Sequence, residues 1–252
     1  QNSATSSDVL WGMALDASRT ITITNHNTVV LNEVLAHNAT LTNSDGTLTD
    51  WVELFNSGSN TWSLAGYGLT DDVSNPRKWA FPPGVTLAAG GFLVVRCDSS
   101  TPASLINGPV LNTGFNLDSS GEGVYLYDPS ASLSDSVVFG PQAADFSLGH
   151  LPDGAGGWNL TLPTVGSANI AAATGDAGNI RINEWAASVA NGPDWFELYN
   201  PNPQPVPLGG LYLTDKLSSR TKHLIAPLTF IGVSTNAYLK FVADGNTAQG
   251  PN

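Results

Sequence analysis

Cysteine, basic residues and long apolar runs are all scarce in this chain of 252 residues. The single cysteine, Cys97, excludes an internal disulfide framework. It ends the alternating stretch Phe92-Leu93-Val94-Val95-Arg96-Cys97, which makes it a small core hydrophobe rather than a reactive thiol. Nine Lys and Arg stand against 21 Asp and Glu, for a formal net charge of −12 and a sequence pI near 4.4. An acidic surface repels phosphate backbones, so no nucleic-acid partner is expected. No apolar run reaches transmembrane length and no basic amphipathic stretch marks a membrane surface, so membrane insertion is not expected either. Apolar residues at helical spacing are also missing beyond short turns such as 101–105.

What the chain does have is 26 Gly, 16 Pro and much Asn, Ser and Thr, between short β-branched or aromatic runs. That is the composition of an all-β sandwich or barrel. One heptapeptide organises it. Asp50-Trp51-Val52-Glu53-Leu54-Phe55-Asn56 returns 144 residues later as Asp194-Trp195-Phe196-Glu197-Leu198-Tyr199-Asn200. The same offset carries Leu64-Ala65-Gly66 onto Leu208-Gly209-Gly210, Leu69-Thr70-Asp71 onto Leu213-Thr214-Asp215, and Lys78 onto Lys222. Upstream, Leu31-Asn32-Glu33-Val34 has its counterpart in Ile182-Asn183-Glu184-Trp185. A period this long means two tandem modules and not a solenoid. In an extended chain Trp51, Glu53 and Phe55 share one face while Asp50, Val52 and Leu54 share the other. Large apolar groups on both faces suit an inner strand, and Glu53 between two aromatics needs a partner or a shifted pKa.

Four segments are expected: a leader over 1–27, a first module over 28–170, a linker over 171–179 and a second module over 180–252. In the leader, Thr20-Ile21-Thr22-Ile23-Thr24 alternates as a strand should, and it is expected to add to the first module or to bind a neighbour. About seven short strands separated by turn signals make the first module an immunoglobulin-like sandwich. The second follows the same pattern only half way, to the counterpart of Gly91-Phe92-Leu93-Val94-Val95-Arg96. Its open sheet implies either a longer polypeptide or a complement from another chain.

The motifs Asn32-Glu33-Val34, Asp50-Trp51-Val52-Glu53-Leu54-Phe55-Asn56, Leu64-Ala65-Gly66-Tyr67 and Leu69-Thr70-Asp71-Asp72 resemble the bacterial lamin-tail domain family. So do Pro83-Gly84, Gly91-Phe92-Leu93-Val94-Val95, Ser120-Gly121-Glu122, Ser147-Leu148-Gly149, Pro152-Asp153-Gly154, Trp158 and the string from Pro163 to Asn169. The chain departs from the family pattern at His150, where Arg is frequent, and at Val165, where Pro is. The resemblance implies an immunoglobulin-like, non-catalytic module of secreted or surface proteins, sometimes found beside hydrolase, nuclease or kinase-like domains. Fold alone confers no activity.

The candidate site residues are carboxylates. Glu33, Asp50 and Glu53, repeated as Glu184, Asp194 and Glu197, could act as acid and base or hold calcium. The favoured reading makes them structural: the glutamates accept hydrogen bonds from loop amides or pair with Lys78 and Lys222. Asp45, Asp50, Asp71 and Asp72 are weak calcium candidates in loops, without the spacing of a known calcium loop. Ser147, His150 and Asp153 lie too close in sequence for a catalytic triad and lack a nucleophile elbow. His26, His37 and His223 lack metal-ligand spacing. Asn38-Ala39-Thr40 and Asn159-Leu160-Thr161 are sequons. Trp62, Tyr125 and Tyr127 are candidates for a glycan platform.

The polar, lysine-poor composition and the start at Gln1 fit a secreted or cell-surface bacterial protein. The function expected is binding without catalysis: adhesion, matrix or filament assembly through surfaces and strand edges, with protein partners or self-association. The alternatives are an accessory region of a larger secreted enzyme and a carbohydrate-binding module.

Overall fold

The computed structural model describes residues 28–243 except Ser44 and Asn191. The expectations for the leader 1–27 and for the end of the chain, 244–252, lie outside the described residues.

The first unit runs through β1 (Val29–Leu35), β2 (Asp50–Asn56), β3 (Trp62–Ser63), β4 (Gly68–Thr70), β5 (Trp79–Ala80), β6 (Thr86–Leu87) and β7 (Phe92–Cys97). It continues with β8 (Leu111–Asn112), β9 (Glu122–Tyr127), β10 (Leu133–Phe139), β11 (Ser147–Leu151), β12 (Gly157–Leu162) and β13 (Ile170–Ala171). Seven of these strands form one sheet in the order β13-β12-β11-β1-β2-β7-β8, and β10-β9-β4-β5 form another. Leu31, Val52 and Leu54 from the larger sheet share one buried cluster with Leu69, Leu126 and Val137 from the smaller. This is an immunoglobulin-like sandwich.

β1 and β2 sit in the middle of the larger sheet, as the two-sided apolar pattern of the heptapeptide demands. Val52 and Leu54 enter the core, and burying such side chains contributes about 1.5–3 kcal/mol each. Trp51 and Glu53 are buried as well, so the opposite face of β2 is also covered. Cys97 lies in the core cluster, and burial pushes its thiol pKa up. An inert core thiol is what its alternating stretch implies.

The second unit holds β14 (Arg181–Ala186), β15 (Asp194–Tyr199), β16 (Val206–Pro207), β17 (Tyr212–Leu213), β18 (His223–Leu224), β19 (Phe230–Ile231) and β20 (Tyr238–Ala243). Its sheet has the order β14-β15-β20, with β16-β19 and β17-β18 as short ribbons. A small cluster of Leu198, Val206, Leu208, Ile225, Ile231 and Phe241 holds it together.

The strand pairs repeat closely. β14 meets β15 with a bulge between Ile182 and Glu184, where β1 meets β2 with one between Leu31 and Glu33. Asn56 and Asn200, the last letters of the heptapeptide, do the same job: each buried amide donates to two backbone carbonyls, Asn60 and Leu87 in one case, Gln204 and Gly232 in the other.

The two units are joined by more than the linker. Gly140 N donates to Pro227 O at 3.1 Å and Phe230 N to Pro141 O at 2.8 Å. The Gln142 side chain donates to Leu228 O at 2.7 Å, and the Phe230 ring belongs to the core cluster of the first unit. Gly140 has to be glycine here, because a Cβ would stand 2.0 Å from Thr229 Oγ1.

Candidate functional site

The bulge in β1 places Glu33 directly across from Glu53 on β2. Both are fully buried, and two neighbouring carboxylates without water must find donors or keep protons. All but one of the donors come from residues more than a hundred positions later. Ser147 Oγ on β11 donates to Glu33 Oε1 at 2.6 Å. Thr164 gives Glu33 its hydroxyl at 3.0 Å and its N–H at 3.1 and 3.3 Å to the two oxygens. Gly166 N donates to Glu53 Oε2 at 2.6 Å, and Asn32 Nδ2 to Glu53 Oε1 at 3.3 Å.

Asn32 and Asn169 close the network. The Asn32 amide also donates to Asp153 at 3.1 Å and accepts from Gly154 N at 2.9 Å. Asn169 N donates to Asp153 at 3.0 Å, and the Asn169 amide reaches the carbonyls of Asn32 and His150, at 3.0 Å each. The pair of glutamates therefore fastens the 163–169 loop onto the central strands, and Asn32 and Asn169 fasten the 152–154 turn. Gly154, at φ +66°, lets that turn come close, since a Cβ there would stand 2.6 Å from the Phe55 ring.

Burial is the main cause that raises the Glu33 pKa, opposed by the bonds from Ser147 and Thr164. Burial likewise raises Glu53 to about 7, against the bonds from Gly166 and Asn32. A carboxyl tuned to that value suits acid–base chemistry in principle. Here the geometry denies it a substrate: neither glutamate touches solvent, and their oxygens are committed to donors on β1, β11 and the 163–169 loop. The arrangement can hold a proton and hold a loop.

The lysine alternative for these glutamates is corrected. Lys78 bonds Asp71 at 2.6 Å and Lys222 bonds Asp215 at 2.5 Å, so the repeated lysines pair with the repeated loop aspartates. A flexible, strongly hydrated ammonium reaches a partner at the surface at far lower desolvation cost than one in the core.

The structure scatters the calcium candidates. Asp45 pairs with Arg96 at 2.5 Å, which with Thr47 holds its pKa below the usual carboxylate range. Asp71 is taken by Lys78, and Asp72 accepts from Ser74 N and Oγ. Asp50 accepts from Asn38 N, and burial raises its pKa. Among the described residues no three His, Cys, Asp or Glu side chains converge as a metal site. Ser147 faces Glu33 while the His150 ring packs on Trp158, centroids 4.1 Å apart, so Ser147, His150 and Asp153 serve separate contacts. Of the aromatics, Tyr127 is buried and Tyr125 half-buried, while Trp62 donates to Tyr67 Oη at 3.0 Å.

In the second unit Asn183 Nδ2 donates to Glu197 Oε1 at 2.8 Å, as Asn32 does to Glu53. Glu184 and Asp194 are exposed and Glu197 half-buried. Asp194 accepts from Ser188 N at 2.6 Å.

Sequence reasoning assigned no role to Asp135. Its Oδ2 accepts from Leu31 N at 2.8 Å, beside the β1 bulge, and ties β10 of the smaller sheet to β1 of the larger. Its only sequence signal is an acid inside an otherwise strand-like run.

Residues 22–141 match the family model described as Lamin Tail Domain. The first unit belongs to the lamin tail domain family. The match ends before Ser147, Thr164, Gly166 and Asn169, yet β11, β12 and β13 extend the same sheet. In the structure this lamin tail domain is thus completed by the segment that caps its two glutamates. No curated protein and no solved structure matches the chain.

Proposed function

We propose that this chain is a non-catalytic structural and binding module of the cell exterior, acting through its surfaces and strand edges on protein partners or on further copies of itself. One observation carries the reading. Glu33 and Glu53, the residues weighed as an acid–base pair or calcium ligands against a structural role, are sealed from solvent and engaged in holding a loop. A group that a substrate cannot reach performs no turnover.

Three features support the rest. The units dock on one another through backbone bonds and a shared core ring, which suits a load-bearing or spacing element more than a freely hinged pair. The net charge of −12 disfavours nucleic-acid partners. Among the described residues no helix is long and apolar enough to cross a membrane. Light scattering across a dilution series tests the assembly role: mass that rises with concentration is expected, and a strict monomer throughout would count against it.

A further inference from the structure

The larger sheet of the first unit outruns the smaller one. Trp79 on β5 donates to Ser104 O at 3.0 Å, and Ser104 N donates to Asn112 O on β8 at 2.9 Å, so the β5 end of one sheet lies at the β8 end of the other. On the opposite side the smaller sheet stops at β10, which Asp135 ties to Leu31 of β1, while the larger goes on through β11, β12 and β13. β10 is therefore an open edge among the described residues. Beside it, the inner face of β11 and β12 carries Leu148 and Leu160 into the core and continues as the half-buried, stacked pair His150 and Trp158. Gly140 N, just past β10, already bonds Pro227 O, so the open half is the one that starts at Leu133, which is 53% exposed. A bare row of backbone groups above an aromatic floor is a place for one more strand.

Where the chain enters the fold names that strand. Ahead of β1, the Thr28 carbonyl accepts from Ser57 N at 2.8 Å. β1 and β10 run the same way across the sandwich: Asp135 meets Leu31, and further on Gln142 O lies 3.2 Å from His37 Nδ1. Leu133 thus sits at the end where β1 begins, and a segment that runs beside β10 before turning into β1 is antiparallel to it. Stacked sheets lie about 10 Å apart and neighbouring strands about 4.8 Å, which makes a step of about 11 Å. The four residues 25–28 cover it, since they reach about 13 Å when extended. Just before them, Thr20-Ile21-Thr22-Ile23-Thr24 alternates with period two. The lamin tail match also opens at residue 22, ahead of Val29.

We propose that residues 20–24 form a strand on the open half of β10, antiparallel to it, and complete the smaller sheet of the first unit. Val137 and Phe139 face the core, so Ser136 between them and Asp135 faces outward. Ile21 and Ile23 lie inward over His150 and Trp158, and the threonines lie outward beside Ser136. The edge is thereby closed by the chain's own leader, and the binding role proposed above falls to the remaining surfaces.

In the full chain, Ser136→Cys is combined in turn with a cysteine at each position from 20 to 24, and disulfide closure under mild oxidation is followed by mass spectrometry. Cys97 is buried and stays out of the reaction. One of the threonine positions is expected to close an intramolecular disulfide at least about tenfold faster than either isoleucine position, because only side chains on the same face meet. Rates that do not alternate overturn the proposal, as do disulfides formed only between chains, which would give the edge to a second copy. Hydrogen exchange needs no cysteine: alternate amides within 133–137 are expected to exchange about tenfold or more faster in an Ile21→Asp, Ile23→Asp chain than in the unmodified one. Equal exchange in the two chains overturns the proposal.

Discussion

Replacing Glu53 by Gln isolates the energetic consequence of the buried pair. Burial lifts the Glu53 pKa from the ordinary 4.5 to about 7, so between those values the folded state keeps a proton that the unfolded state has released. The folded state then binds more protons than the unfolded one, and stability falls as pH rises. The contribution is fully present below pH 4.5, declines through the interval and is gone above about 7. A shift of that size corresponds to about 3 kcal/mol. Glutamine cannot titrate, so the variant loses this part of the slope. It retains an oxygen to accept the 2.6 Å bond from Gly166 N, while its amide meets the Asn32 donor unfavourably, at a cost of about 1 kcal/mol. Urea unfolding at pH 5, 6, 7 and 8 is the assay. The unmodified chain is expected to lose about 2.5 kcal/mol more than the variant between pH 5 and 8. Glu122, also raised to about 7 by burial, adds its own slope equally to both proteins and cancels in the difference. Parallel pH profiles for the two would refute the account, as would an unmodified chain that loses stability toward pH 5.

Three other substitutions probe separate parts of the structure. Ser147→Ala removes the 2.6 Å bond to Glu33 and should cost about 1–3 kcal/mol, a loss that grows as pH rises, because burial already raises this carboxyl's pKa and the lost donor favoured its charged form; a loss independent of pH would contradict the network. Lys78→Ala breaks a pair with Asp71 in which the lysine is about one-third exposed and should cost under about 1 kcal/mol. A loss near 3 kcal/mol in chemical denaturation would revive a buried partner for that lysine. Gly140→Ala drives a methyl against Thr229 and should weaken the junction on the order of 1–3 kcal/mol, seen as faster proteolysis within 171–179 and two unfolding transitions drawn apart. An unchanged cleavage rate would mean that the junction does not hold the units together.

The fold was readable because its signals are local. Period-two alternation across the heptapeptide put large groups on both faces of β2, and one inner strand with turns on either side implies a sandwich. The repeat at an offset of 144 was equally plain. The partners of the glutamates were not, because Ser147 and Thr164 lie 114 and 131 residues from Glu33. The string from Pro163 to Asn169 stood out only as family signature. What it offered physically was two hydroxyls, a glycine amide and an asparagine in seven residues. That is a set of donors in search of acceptors, but no pattern in the sequence says which acceptors.

The lysine misassignment shows why a repeat alone could not choose. Lys78 recurs at Lys222, and so do two acids it could pair with: Glu53 at Glu197, but also Asp71 at Asp215. The offset is satisfied by either pairing, and only desolvation ranks them. An ammonium drawn to Glu53 would enter a site that backbone amides and hydroxyls already satisfy without losing their own hydration a second time, whereas at Asp71 it stays partly in water and over the Phe115 ring, 4.6 Å from its centroid. The same reasoning separates the two copies of the site. Glu33 with its donors is at ease in the interior, whereas Glu184, which has no such donors among the described residues, stays in water.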